Sequence, residues 1–224
     1  GLLAVLGTGR SLLPVSEQMP ADERRQLAEA QGIDAILETD PDASPLRGCA
    51  VGLHEHIGSG EDDVSYALDR GADASLLLRS SGTTGDPAVS IRSASALDRV
   101  TRTLVDILEL TEADRIFAAL PMQHAYGIEH AVMAPMFSGA QVAWQPGFEL
   151  ASGTKELRER ATVFAAVPVT LEAAARVGSH TSSLRLAYTA GTALPDPVCE
   201  SFIAAWAVPV GNLYGATELG TITW

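Results

Sequence analysis

The sequence has 224 residues, 46% apolar and 19% charged, which describes one large domain or two small lobes with a buried core rather than a disordered acidic segment. Fifteen basic against twenty-eight acidic residues leave a formal net charge of −13, which argues against a nucleic-acid partner. No apolar run approaches the ~18 residues of a membrane span, and the opening GLLAVLGTGR is soon broken, so neither a transmembrane helix nor a signal peptide is expected. Cys49 and Cys199 lie far apart with no CxxC or Cys/His cluster, so no disulfide framework or zinc site is indicated and a reduced, cytoplasmic protein is expected. Lys155 is the only lysine, a bias toward arginine and alanine that suggests a G+C-rich bacterial genome.

In chain order, short apolar runs alternate with helical stretches, the pattern of an α/β fold with largely parallel sheets and flanking helices. Leu2 to Leu6 reads as a strand, Pro20 opens an amphipathic helix through Glu29, and Ile33 to Leu37 follows as a second strand, completing a βαβ unit. PDASPLRG, at 41 to 48, is a surface turn, and Ala50 to Leu53 and Ala74 to Leu78 are strands on either side of the acidic GEDDVSYALDRG segment. From Ser93, a capping residue, a helix is specified by Leu97, Val100, Leu104, Ile107 and Leu108 on one face. Strands are predicted at Ile116 to Leu120, Gln141 to Trp144, Val163 to Val167, Leu184 to Tyr188 and Val208 to Leu213. Helices are predicted near Ile128 to Phe137, Lys155 to Arg160, Pro168 to Val177 and Asp196 to Trp206.

The chemistry concentrates where these strands run out. SSGTTGDPA, Ser80 to Ala88, follows a strand with two glycines, four hydroxyls and a proline. Such a segment can present backbone N–H groups and hydroxyls to one anion, as a phosphate cradle, or it can be an ordinary Ser/Thr/Gly turn. It has neither the GxxxxGK spacing of a Walker loop nor a dinucleotide GxGxxG. LPMQHAYGIE at 120 to 129, AGTALP at 190 to 195 and YGATE at 214 to 218 each follow another strand. In open α/β sheets ligands collect outside the carboxyl ends of strands, so four such segments can line one crevice.

Taken together and in this order, the four segments resemble those of the adenylate-forming superfamily, which includes acyl-CoA synthetases, peptide-synthetase adenylation domains and firefly luciferase. The resemblance runs from Ser80 to Glu218. It implies that a carboxylic acid is activated by ATP as an acyl adenylate and passed to a thiol, of CoA or of a carrier protein. By motif, Ser81, Gly82, Thr83, Thr84 and Gly85 would form the phosphate loop, with Thr83, Thr84 and Gly85 on the β- and γ-phosphates. Gly191, Thr192 and Ala193 would contact adenine, Tyr214 would stack on it beside Gly215, Thr217 would meet the α-phosphate and Glu218 would hold Mg²⁺. A carboxylate is a suitable hard ligand for Mg²⁺ bridging phosphates, although a solvated surface glutamate is the commoner fate. His124, Tyr126 and Gly127 would belong to the acyl pocket; a lone histidine can equally be a hydrogen-bonded structural residue.

The departures from the family pattern carry information too. The phosphate loop normally has lysine after its proline, whereas Pro87 is followed by Ala88. The family's ribose-binding aspartate, hinge and catalytic lysine lie beyond the glutamate, and Lys155 cannot be matched to that lysine. The expectation is therefore a reduced core or a fragment: a shortened N-terminal α/β segment at 1–79, a nucleotide- and acyl-binding core at 80–224, and no mobile C-terminal domain. MQHAYGI offers no acid before Glu129 to pair a substrate ammonium, which favours a fatty or aryl acid over an amino acid. The alternative function is a catalytically inactive nucleotide- or acyl-binding module of the same ancestry. A nicotinamide-dependent oxidoreductase rests only on the general α/β pattern and on Gly7-Thr8-Gly9, which lacks a third glycine. His54 and His56 in HEH suggest a metal only weakly, since no third ligand stands nearby.

Overall fold

The computed structural model describes residues 11–16, 18–31, 35–39, 51–56, 75–79, 89–178 and 183–223. The calls at Leu2 to Leu6, Gly7 to Gly9, 41 to 48, Cys49, the GEDDVSYALDRG segment and Ser80 to Ala88 lie outside the described residues. The chain divides into two compact units, Gly1–Leu76 and Leu77–Trp224. Among the described residues, no helix is long and apolar enough to cross a membrane.

In the first unit, helix α1 (Ala21–Ala30) starts after Pro20, with Asp22 and Glu23 in its first turn, where acidic side chains complement the helix dipole. Strand β1 (Ala35–Thr39) pairs with β2 (Val51–His56) antiparallel, Ala35 opposite His56 and Thr39 opposite Val51. The βαβ unit expected around this helix would pair β1 with the Leu2 to Leu6 run, which lies outside the described residues. His54 and His56 fall within β2.

Strand β3 (Ser75–Arg79) spans the division between the units and pairs with β4 (Val89–Ser93). Ser93 caps helix α2 (Ala94–Ile107) by accepting a hydrogen bond from the Ala96 N–H at 3.3 Å. Leu97, Thr101 and Leu104 form its buried face, while Ile107, expected inside, is 46% exposed. Thr101 is tolerated inside because its hydroxyl donates to the Leu97 carbonyl one turn back, at 2.7 Å.

The second unit is built on a five-stranded parallel sheet of β5 (Arg115–Ala119), β6 (Gln141–Gln145), β7 (Val163–Ala166), β8 (Leu186–Thr189) and β9 (Val210–Asn212), in the order β6-β5-β7-β8-β9. Two-residue alternation sends Ile116, Ala118, Val163, Ala165, Leu186 and Tyr188 into one core. Phe117, Ala119, Phe164, Ala166 and Ala187 enter the other, on the opposite face. Helix α2 covers the first face, together with the helical segment of α3 (Ala125–Ile128), a π-helical turn (Glu129–Met133) and α4 (Ala134–Ser138). Helices α5 (Leu150–Glu159), α6 (Pro168–Arg176) and α7 (Asp196–Trp206) cover the second through Leu157, Leu171, Ala174, Phe202 and Trp206. A run of stacked rings, Phe117 on Phe164, Phe164 on Phe202 and Phe202 on Trp206, joins sheet to helix there. The helical stretch predicted near Ile128 to Phe137 runs from Ala125 to Ser138 and contains the π turn, and a hairpin, β10 (Tyr214–Ala216) with β11 (Gly220–Thr223), follows β9.

The amino edge of the sheet is held by Asp114. Its Oδ1 accepts from Thr162 Oγ1 at 2.7 Å and Arg185 Nε at 2.9 Å, and its Oδ2 from Arg185 Nη2 at 3.0 Å and the Thr111 N–H at 2.9 Å. Burial pulls this carboxyl upward, but the bonds from Arg185, Thr162 and Thr111 outweigh it and hold the pKa at about 2. A depressed carboxylate contributes stability above its unfolded pKa, near 4, and loses it as the pH falls through its folded value. Asp114→Asn is expected to lower stability by roughly 1–2 kcal/mol at neutral pH, allowing for solvent screening at Arg185, and the deficit should vanish between about pH 4 and pH 2 in urea titrations.

Candidate functional site

A parallel sheet delivers every βα connection to its carboxyl edge, and three of the four segments singled out in the sequence leave from that edge. The His124 segment follows β5, AGTALP follows β8 and YGATE follows β9. The chain steps from β5 outward to β6 and then returns to β7 on the other side of β5, so the strand order reverses between β5 and β7. Such switch points open a crevice at the carboxyl ends. Tyr126 bridges this one, its hydroxyl donating to the Ala166 carbonyl at the end of β7 at 3.0 Å. The phosphate-loop candidates Ser81, Gly82, Thr83, Thr84 and Gly85 lie outside the described residues.

His124 is exposed and begins α3, its carbonyl accepting from the Ile128 N–H at 3.0 Å. Gly127 is buried, and a Cβ there would run into the Pro121 carbonyl, so glycine lets the helix pass the strand-end backbone. Gly191, Thr192 and Ala193 are exposed and line an open groove of about 600 Å³ together with Val167, Pro168 and Glu172. His124 is not among the groove's lining residues. The Leu213 N–H donates to the Thr189 carbonyl at 2.8 Å, so the YGATE hairpin starts alongside AGTALP. Tyr214 is 65% exposed on β10, and Gly215 next to it is exposed as well. Thr217 and Glu218 occupy the turn between β10 and β11, which the Leu219 N–H closes on the Ala216 carbonyl at 3.1 Å. Glu218 Oε1 accepts from Ser90 Oγ at 3.3 Å, which brings β4 to the turn.

Beneath that turn lies a polar cluster that sequence reasoning missed. Arg92 and Glu129 are each 2% exposed and form an ion pair, Nη1 to Oε1, at 3.1 Å. Arg92 Nη1 also reaches the Thr217 carbonyl at 3.4 Å. Glu129 Oε2 accepts from the Thr221 N–H at 3.3 Å and from Thr221 Oγ1 at 3.5 Å. His130 contacts Thr221 Oγ1 through Nε2 at 3.2 Å and the Tyr188 hydroxyl through Nδ1 at 3.0 Å. Burial lowers the His130 pKa to about 3 and raises that of Tyr188, so the ring is neutral and the phenol keeps its proton. A neutral ring donates through one nitrogen and accepts through the other, so His130 links the Tyr188 phenol and the Thr221 hydroxyl through one bond of each kind. Burial also raises the Glu129 carboxyl, against the opposing pull of Arg92 and Thr221. Glu129 and His130 carry no motif signal; a buried acid beside a histidine, with an arginine on a preceding strand, was the only hint available.

The whole chain, residues 1–224, matches the family model described as AMP-binding enzyme. It is 32% identical over 97% of its length to the indoleacetate–CoA ligase of Aromatoleum aromaticum, covering 47% of that protein. Among solved structures, an anthranilate CoA ligase in complex with anthranoyl-AMP is 28% identical with a TM-score of 0.57, over 64% of this chain and 29% of that one. A malonyl-CoA ligase bound to methylmalonyl-CoA and AMP shares the fold over 98% of this chain and 49% of that one, with a TM-score of 0.78 at 22% identity. The chain thus spans less than half the length of the curated relatives it matches.

Gly220, which follows the turn, has φ +79°, and a Cβ there would lie 2.5 Å from Glu129 Oε1 and 2.9 Å from Arg92 Nη2. Gly220→Ala is expected to cost roughly 1–3 kcal/mol in urea unfolding, from left-handed backbone strain together with displacement of the ion pair. An unchanged unfolding midpoint would show that the turn does not rest on the pair.

Proposed function

The chain belongs to the AMP-binding enzyme family, and from that membership we propose that the protein activates a carboxylic acid with ATP and transfers the acyl group to a thiol, of CoA or of a carrier protein. The observation that carries this reading is the convergence of the β5, β8 and β9 end segments on one carboxyl edge, at and beside the switch point. A carboxylate oxygen attacks the α-phosphorus, pyrophosphate leaves with its bonding pair, and an acyl adenylate forms. The thiol sulfur then attacks the acyl carbonyl, AMP departs and the thiol proton passes to solvent. A cytoplasmic setting suits a free thiol acceptor.

In this reading the exposed ring of Tyr214 stacks on adenine, Gly191, Thr192 and Ala193 border it, and Gly215 allows close approach. Thr217 contacts the α-phosphate, Ser81, Gly82, Thr83, Thr84 and Gly85 hold the β- and γ-phosphates, and His124, Tyr126 and Gly127 border the acyl group. Glu218 is an exposed carboxylate on a tight turn with a hydroxyl, Ser90, at its side. These are hard oxygen donors of the kind Mg²⁺ takes, and the bound ion would neutralise phosphate charge there. A fatty or aryl acid is favoured over an amino acid, because the nearest acid to His124 in the chain, Glu129, is buried against Arg92 and offers nothing to an ammonium group. A second reading, a nucleotide- or acyl-binding module without turnover, is favoured only by Ala88, where the family's loop carries a cation.

Carboxylate-dependent ATP–pyrophosphate exchange by the full-length protein tests the proposal. Aryl or fatty acids should support exchange better than α-amino acids; exchange confined to amino acids would overturn the substrate class, and nucleotide binding without exchange would select the second reading. Glu218→Gln should weaken Mg·ATP binding about ten- to hundredfold, the equivalent of roughly 1.5–3 kcal/mol for a lost charged contact, with folding retained.

A further inference from the structure

The ion pair between Arg92 and Glu129 is a poor choice if stability alone is at stake. Both partners are removed from water, and Arg92 Nη2 has no hydrogen-bond partner among the described residues. Well-packed apolar residues of similar volume often serve as well as a buried pair or better. What apolar residues would not do is hold backbone, and among the described residues the pair's other hydrogen bonds go to the hairpin. Arg92 Nη1 reaches the Thr217 carbonyl, and Glu129 Oε2 accepts both the Thr221 N–H and its hydroxyl. The two anchors lie on either side of the turn that carries Glu218. His130, through Thr221 Oγ1, extends the same chain of bonds to Tyr188 on strand β8.

We infer that Arg92, Glu129 and His130 are positioning residues that tether the Thr217–Leu219 turn to the sheet and so set Thr217 and Glu218 for the nucleotide. The inference rests on the adenylation reading for what the turn meets, and on the hydrogen bonds alone for the tether. The elements contribute distinct parts: β4 supplies the guanidinium, the π-helical turn supplies the carboxylate and imidazole, and β8 supplies the phenol. The π turn carries both Glu129 and His130, neighbours in sequence that each bond Thr221 of the hairpin.

The test is the full-length double variant Arg92→Met/Glu129→Leu, which removes both charges and keeps bulk. Each single change should lower the unfolding midpoint by stranding a buried charge, and the double should recover most of it. In the double variant the KM for Mg·ATP in pyrophosphate exchange should rise tenfold or more, while the KM for the carboxylate changes less than twofold. Amide hydrogen exchange at Glu218 to Thr221 should quicken at least tenfold, with β5, β7 and β8 as protected as before. Mg·ATP KM within twofold of the parent and unchanged turn protection would overturn the proposal. If the double variant fails to fold, Arg92→Lys decides the matter, because it keeps the charge but its nitrogen ends one bond short of Nη1, the atom that reaches both Glu129 and the Thr217 carbonyl. It should show the same rise in Mg·ATP KM and the same faster exchange in the turn, and parent-like values in both would refute the tether. Faster turn exchange in a protein whose parent form catalyses no pyrophosphate exchange would leave the tether standing and remove the adenylation reading instead.

Discussion

In a parallel sheet every strand enters from the same edge, and each connection must begin at the opposite one. That requirement governs the second unit of this protein. Because β5, β7, β8 and β9 are neighbours in parallel register, whatever follows each of them is delivered to one rim within a few strand spacings. The reversal of strand order between β5 and β7 then parts the helices on the two faces and leaves room at that rim. The chemistry-bearing segments lie tens of residues apart in the chain and become neighbours through topology alone.

Such a rim is useful only if its backbone is held still, and the two edges of the sheet solve this differently. At the amino edge Asp114 gathers Thr111, Thr162 and Arg185 around one carboxylate, binding three connections to each other where water still reaches the arginine. At the carboxyl edge the fastening is buried. Arg92 and Glu129 take both charges out of water, and Gly220 gives up its side chain so that the hairpin can close over them. An exposed tip over a dry, polar base suits a turn proposed to meet a highly charged ligand, because the base need not reorganise when the ligand arrives.

Most strands and helices were legible in the sequence because their apolar residues repeat with the period of the structure they form. Helix α7 occupies Asp196–Trp206 as read, with Asp196 and Pro197 in its first turn. The central strands were legible as apolar runs, since a sheet covered on both faces has no polar side to interrupt them. Ile107 shows the limit: it fits the helical period, yet it is exposed while Leu97, Leu104 and Leu108 on the same stripe are buried. The π turn was illegible because a one-residue widening leaves composition unchanged, and the β10–β11 hairpin because its strands are only three and four residues long.

The sequence by itself determined the α/β class, the order of the strand-end segments and, through their resemblance, the candidate residues Tyr214, Thr217, Glu218 and the AGTALP turn. These are local properties: periodicity, turn composition and short motifs survive being read one window at a time. Only the tertiary structure decided that Arg92, Glu129, His130, Tyr188 and Thr221 form one bonded chain under the turn. Between Arg92 and Thr221 the chain passes through all five strands of the parallel sheet, and no window of sequence relates them. Their association is enforced by burial, since a charge removed from water must find its counter-charge, and a buried hydroxyl or imidazole its hydrogen bonds, wherever in the chain they lie.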